Sequence, residues 1–291
     1  NNGENPMIPP VTWEWIQQEA QQILSSGVHS LTKNIQPTNL VDIKITRSGN
    51  YYIYSNKDSY IGEANNIRAR VRQQFSPSTS TFYKNYKKVN ISGQDLYGIL
   101  EFKINIMATN IGRKEIEEFG IVNIPTTPNK FQLGKRNVYK IDQHNGLWAS
   151  VQDNYLKCLN RGKELVLGKG FIPWPQCGDV ERPGIYLVKS KHDGLIYVGE
   201  SSDISERHRT HSGRTYFSAL RRHIGTELLG FRLKVIDGKA RYFSDDEDVA
   251  VDKYLSSCAA IFYEVQIGRY ELEDTLIKQL NPILNRKGKV A

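Results

Sequence analysis

Cysteine is scarce in this 291-residue chain: Cys158, Cys177 and Cys258 stand apart, with no C-x-x-C pair and no histidine cluster beside them. That spacing excludes a disulfide framework and a thiolate zinc site, and makes a reducing cytoplasm the expected compartment. No apolar run approaches the ~20 residues of a membrane-spanning helix, so no membrane partner is expected. The sequence begins at Asn1 without a methionine and shows no apolar signal segment there, which is read as trimming rather than secretion. Acid is in deficit, 31 Asp and Glu against 39 Lys and Arg, for a net charge of +8. A positive field of that size favours a polyanionic partner, nucleic acid before all others. The hydrophobic content of 39% and charged content of 24% are those of a globular protein. The length suits two domains of roughly 100–150 residues.

A repeat is present. Ile111-Gly112-Arg113-Lys114-Glu115-Ile116-Glu117 and Ile267-Gly268-Arg269-Tyr270-Glu271-Leu272-Glu273 share one frame, and an asparagine follows each last glutamate by twelve residues, at Asn129 and Asn285. Upstream, Tyr60-Ile61-Gly62-Glu63 with Arg70 matches Tyr197-Val198-Gly199-Glu200 with Arg207 at an offset of 137, while the glutamates are offset by 156. The second copy therefore holds 19 more residues (156 − 137) between arginine and glutamate. Polar and glycine positions persist between the copies while the apolar filling differs, which points to sites rather than packing.

The local pattern gives each copy similar elements. Thr12 is placed to cap a helix running to about Ser25, with Gly27 as its stop. Val41, Ile43 and Ile45 alternate as in a strand. Residues 49–54 and 59–62 flank a polar turn as in a hairpin. Asn65 or Asn66 caps the helix bearing Arg70 and Gln74, and Leu96 to Met107 reads as a strand. In copy two, Asp193-Gly194 marks the hairpin turn. Asp203 and Glu206 form a capping-box pattern, opening a helix with Arg207 and His211 on its surface. Ala259 to Ile267 reads as a strand and Tyr270 to Leu280 as a helix ended by Asn281-Pro282. The expected domains are a tail and helix (1–40), copy one (41–130), a structured connector (131–182) in which Gln152 to Arg161 is helical, and copy two (183–291).

Copy two spells Gly184-Ile185-Tyr186, Tyr197-Val198-Gly199, Arg207-x-x-x-His211, Glu273-x-x-Leu276-Ile277-Lys278 and Pro282-x-x-Asn285. In this order the motifs resemble those of the GIY-YIG nuclease family, strongly over 183–291 and more weakly, through the repeat, over 49–130. The resemblance implies an α+β fold of two tandem domains, each a small mixed or antiparallel sheet flanked by helices. It also implies hydrolysis of DNA phosphodiesters with one divalent metal, Mg²⁺ or Mn²⁺. Glu273 would hold the ion, since Mg²⁺ keeps several waters and needs few protein ligands. Arg207 would clamp a phosphate oxygen, and His211 would position the nucleophile or relay its proton. Tyr186 or Tyr197 would activate water, and spacing leaves open which. Asn285 would orient the site. Taken singly, each is ordinary: a strand tyrosine, a solvated glutamate, an ion-paired arginine.

Copy one has Tyr51, Tyr60, Arg70, Glu117 and Asn129 in the same roles, with Glu117 as the metal ligand, but Gln74 replaces His211. Glutamine binds water without titrating near neutral pH. The copy is thus either a second cutting site or a decayed one retained for binding. Two basic, aromatic stretches suit nucleic acid: Tyr83, Lys84, Tyr86, Lys87 and Lys88 in copy one, and Arg214, Tyr216, Arg221, Arg222 and His223 in copy two. The expected protein is a metal-dependent endonuclease of restriction or defence type, with no appended repair module, acting on double-stranded DNA as a monomeric intrachain pseudo-dimer or a homodimer. A DNA-binding pseudonuclease is the competing class.

Overall fold

The computed structural model of the protein describes residues 9–76, 82–84, 102–126, 129, 137–142, 146–176, 181–213 and 215–285. The chain divides into two compact units, Asn1–Cys158 and Leu159–Ala291, so the division falls within the stretch read as a connector. The fold is α+β and both main sheets are antiparallel. Among the described residues no helix is long and apolar enough to cross a membrane.

In the first unit, Thr12 caps α1 (Trp13–Gln18) by accepting the Trp15 N–H at 3.1 Å. The expected single helix is two, because the chain turns at Glu19 (ψ 19°) before α2 (Ala20–His29). Gly27 does not stop α2. It is buried within it, at a spot where a Cβ would collide with Ile116 and Trp148, so the glycine serves close packing instead. The expected strand at 41–45 is instead a 3-10 turn, Leu40–Asp42, in which the Asn39 amide binds the Asp42 carboxylate at 3.2 Å and Val41 is left exposed. The hairpin is as expected: β1 (Gly49–Tyr54) and β2 (Ser59–Ala64) pair, β3 (Lys103–Ala108) takes the other edge of β1, and the order is β2-β1-β3. The earlier part of the expected 96–107 strand lies outside the described residues. Asn66 caps α3 (Ile67–Gln74) through the Ala69 N–H. Next come α4 (Arg113–Asn123), packed on β2 and α2, then α5 (Leu147–Asp153) and α6 (Tyr155–Gly168), which carries the division between units.

The second unit orders its sheet β4-β9-β5-β6, from β4 (Ile172–Pro173), β9 (Ala259–Glu264), β5 (Gly184–Ser190) and β6 (Gly194–Ser201). A bulge at Val188/Lys189 accommodates its longer hairpin. Then α7 (Ile204–Gly213) opens with Asp203 accepting the Glu206 N–H, as the capping pattern predicts. The 19 extra residues fall in a region formed by α8 (Ala219–His223), a separate two-stranded sheet of β7 (Lys234–Ile236) and β8 (Lys239–Tyr242), and α9 (Asp245–Ser256), which begins in a complete capping box at Ser244 and Glu247. Helix α10 (Arg269–Leu280) packs on β6 and β5 and ends at Asn281 in the left-handed region.

The two units repeat their internal geometry. Tyr51 sits opposite Gly62 and Tyr186 opposite Gly199. The glycine of each Ile-Gly-Arg frame opens its helix with positive φ, 90° at Gly112 and 96° at Gly268, a conformation that favours glycine. The arginine of each frame reaches back to the glutamate after the second glycine, Arg113 to Glu63 at 3.1 Å and Arg269 to Glu200 at 3.0 Å. Each helix is thereby pinned to its hairpin.

Candidate active site

The site of the second unit is assembled on β5, β6, α7 and α10. Tyr186, on the interior strand β5, faces Gly199 across the hairpin with its ring end where a Cβ at 199 would lie, and its ring is tilted against that of Tyr197 with centroids 6.0 Å apart. Its hydroxyl is 2.8 Å from His211 Nε2, and His211 Nδ1 is 2.6 Å from Ser218 Oγ. All three of Tyr186, His211 and Ser218 are buried. His211 is therefore not on the helix surface. The Trp174 ring, 6.4 Å away between centroids, covers it from a segment upstream of β5, and Ser218 closes the other side.

Charge defines the rest of the site. Arg207 and Glu273 both act on Tyr186 and Tyr197, so α7 and α10 bring them to the same place. Burial, then the Glu273 carboxylate, pushes Tyr197 up to about 12 against the pull of Arg207. Burial, then Tyr197, holds Tyr186 well above the ordinary phenol value. Burial first, then the Arg207 cation, with His208 and the Arg221 cation adding to it, hold His211 well below the ordinary imidazole value, so it is neutral at pH 7. With its proton on Nδ1, a neutral imidazole in this place can accept one from the phenol.

Asn285 is placed to orient the site through the backbone. Its Oδ1 accepts the Val198 N–H at 2.8 Å and its Nδ2 donates to the Val198 carbonyl at 2.7 Å, so both amide groups are engaged on the β6 backbone. Asn129 clips Ile61 in the same way, at 3.0 and 2.9 Å. Both are positioning residues.

In the first unit the equivalent groups border a cleft of about 520 Å³ that includes Tyr51, Glu63, Arg70, Lys114 and Glu117. Tyr51 and Tyr60 stack at 6.1 Å, and burial raises both phenols. Two differences matter. Gln74 Oε1 accepts the Phe82 N–H at 3.3 Å, which fixes its amide so that Nε2 donates to Tyr51 Oη at 2.6 Å. Glu117, raised mainly by burial, is held by Lys114 at 2.7 Å, where the second unit has Tyr270.

The nucleic-acid expectations fare unevenly. Lys84 is exposed, whereas its neighbour Tyr83 is buried. Tyr86, Lys87, Lys88 and Arg214 lie outside the described residues. Arg221 is a correction: at 1% exposure it faces inward, binding Asp252 at 2.5 Å, Thr215 at 2.8 Å and the His211 carbonyl at 3.2 Å. The acids of α9, not a phosphate, satisfy it. Half-buried Arg222 donates to the carbonyls of Thr215 and Tyr216, and His223 faces Glu227 at 2.9 Å. Sequence reasoning missed Ser218 and Trp174 altogether. It quoted Glu63, Glu200, Arg113 and Arg269 in the repeat without seeing that they pair.

A family model described as the GIY-YIG catalytic domain matches residues 180–290. This stretch is therefore similar to a GIY-YIG catalytic domain. No curated protein and no solved structure matches the chain. The match covers the second unit's hairpin, arginine helix and glutamate helix, and leaves the first unit outside it. Among the described residues no group of three or more His, Cys, Asp or Glu side chains could cage a metal. Among the described carboxylates beside the site tyrosines, Glu273 acts on both of them from α10, and a single carboxylate suits an ion such as Mg²⁺, which keeps most of its waters and takes further oxygens from a phosphate.

The tight fit of Tyr186 under Gly199 makes a sharp prediction. A Cβ at 199 would overlap the Tyr186 ring end and hydroxyl. Gly199→Ala is expected to displace the phenol from His211 and slow single-turnover cleavage about 10²-fold. Melting should report a loss of only about 1–3 kcal/mol.

Proposed function

We propose that the GIY-YIG domain hydrolyses DNA phosphodiesters, and that the Tyr186–His211 pair is its base. The single observation that carries the reading is the 2.8 Å bond between a buried phenol and a neutral imidazole, beside an arginine and a half-buried glutamate. With the imidazole proton on Nδ1 and donated to Ser218, Nε2 accepts the Tyr186 proton as Tyr186 Oη takes one from water. The resulting hydroxide attacks phosphorus. Arg207 binds a non-bridging oxygen and gains strength as charge builds there. A divalent ion on Glu273 would supply charge neutralisation at the leaving oxygen. Because both tyrosines sit above the ordinary phenol range, neither is ionised beforehand, and proton transfer must accompany attack.

The first unit carries a second site of the same frame. A chain with two cutting sites would sever both strands, as a restriction enzyme does, and the repeated glycine, arginine and asparagine contacts favour that reading. The orientation of Gln74 and the Lys114–Glu117 pair favour a first unit that binds without cutting, because the group facing Tyr51 there donates a hydrogen bond and is not a base. We place cutting in the second unit.

Supercoiled plasmid incubated with the protein and Mg²⁺ tests this. Nicked circles that form equally with Glu117→Ala, and not in EDTA, are the expected result. Linear product lost in Glu117→Ala would instead establish two cutting sites. Plasmid bound but uncut with either Mg²⁺ or Mn²⁺ would leave a pseudonuclease.

A further inference from the structure

The hairpin β7–β8 has no counterpart among the described elements of the first unit, and all three residues of β7 are exposed, so it adds little to the core. Residues 232–242 hold four cations, Arg232, Lys234, Lys239 and Arg241, against one acid, Asp237, which sits in the turn. Two of these cations are gathered on one ring. Lys239 Nζ donates to Tyr216 Oη at 2.8 Å and stands 5.5 Å from the ring centroid, while the Arg241 guanidinium is 5.2 Å from the same centroid. Beside Tyr216, edge-on at 4.7 Å, Phe217 is 60% exposed. Arg222 fixes this turn by donating to the Thr215 and Tyr216 carbonyls at 2.9 and 2.6 Å. Of the acids opening α9, Glu247 is engaged in the capping box and Asp248 with Arg221.

Two like charges gathered on one tyrosine repel each other, and an exposed phenylalanine next to them costs solvation. Both costs are relieved by a ligand that is polyanionic and also offers flat apolar edges. We propose that the β7–β8 hairpin and the 215–217 turn form a duplex-DNA-binding arm of the GIY-YIG domain. Lys234, Lys239 and Arg241 meet backbone phosphates, and Phe217 packs against sugar and base edges. The Lys239–Tyr216 hydrogen bond and the Arg241 contact with the ring hold both cations in place before DNA arrives, which lowers the ordering cost of binding. The choice of DNA as the polyanion rests on the nuclease reading above.

Fluorescence anisotropy of a labelled DNA duplex with the full chain, in EDTA and across a KCl series, tests the arm without cleavage. The double variant Lys239→Ala/Arg241→Ala is expected to weaken binding about tenfold or more and to reduce the log–log salt slope by about 2, at ~0.9 per phosphate contact. Phe217→Ser should weaken binding several-fold and leave the slope unchanged. The charge-retaining pair Lys239→Arg/Arg241→Lys should bind as wild type, which separates lost contacts from misfolding. Unchanged affinity and slope in the alanine pair, or an RNA duplex bound more tightly than DNA through the same residues, overturns the proposal. If wild type cuts plasmid while the alanine pair binds normally, the arm fails and the nuclease reading stands. Weakened binding by the alanine pair in a protein that never cuts has the opposite meaning.

Discussion

Replacing Glu273 by glutamine is expected to lower strand cutting about 10³-fold or more, a loss near 4 kcal/mol in transition-state stabilisation. Duplex binding in EDTA should not change. The substitution keeps shape and removes the negative charge on α10 that acts on both site tyrosines. Without the carboxylate, the domain has no other acid assigned to an ion at this place, since Glu200 is held by Arg269 at 3.0 Å. A one-ligand site also predicts weak metal affinity, so added Mg²⁺ should not rescue the variant at concentrations that saturate wild type. Single-turnover cleavage with a metal titration measures both. Cutting at the wild-type rate by Glu273→Gln would remove Glu273 from the reaction.

His211→Gln gives the second unit the side chain that the first unit carries at Gln74. The rate is expected to fall about 10²–10³-fold, within the range for loss of a general base. Glutamine can donate to the phenol, as Gln74 does to Tyr51 at 2.6 Å, but cannot take its proton. The pH profile separates this from a packing defect. In wild type, burial and the neighbouring cations keep His211 neutral to well below pH 6.5, so cutting should persist on the acid side of 6.5 and fail only when the imidazole charges. The variant should lack that acid limb. Stability follows the same group. The unfolded chain protonates this histidine below about pH 6.5, while the native state does not. Its contribution is therefore fully present above 6.5 and is lost as pH falls toward the native value. Melting temperature against pH should fall more steeply in wild type than in His211→Gln.

How much of this was legible beforehand varied by residue type. The glycines were legible because their jobs are local: Gly112 and Gly268 need positive φ, and Gly62 and Gly199 make room for a tyrosine. Tyr186, Arg207, His211 and Glu273 stood out by their fixed order and spacing, and the fold brings them into one neighbourhood. The tertiary contacts were not legible. His211 reads as a surface histidine from its own helix, and only Trp174 and Ser218, brought from either side in sequence, bury it. Arg221 reads as a basic patch with Arg222, yet acids some 30 residues later on α9 draw it inward. Asn285 was expected to orient the site, but a sequence cannot display how: both ends of its amide are taken by one backbone residue.

The pair of residues facing the buried phenols, histidine in one unit and glutamine in the other, also has a genetic reading. Their codons differ only at the third base. A single transversion thus separates a partner that can take up a proton from one that can only hydrogen-bond, without disturbing the hairpin, the glycine contact or the asparagine clip around it. A library of natural or laboratory variants would cross that line often, in either direction, and plasmid nicking would register each crossing.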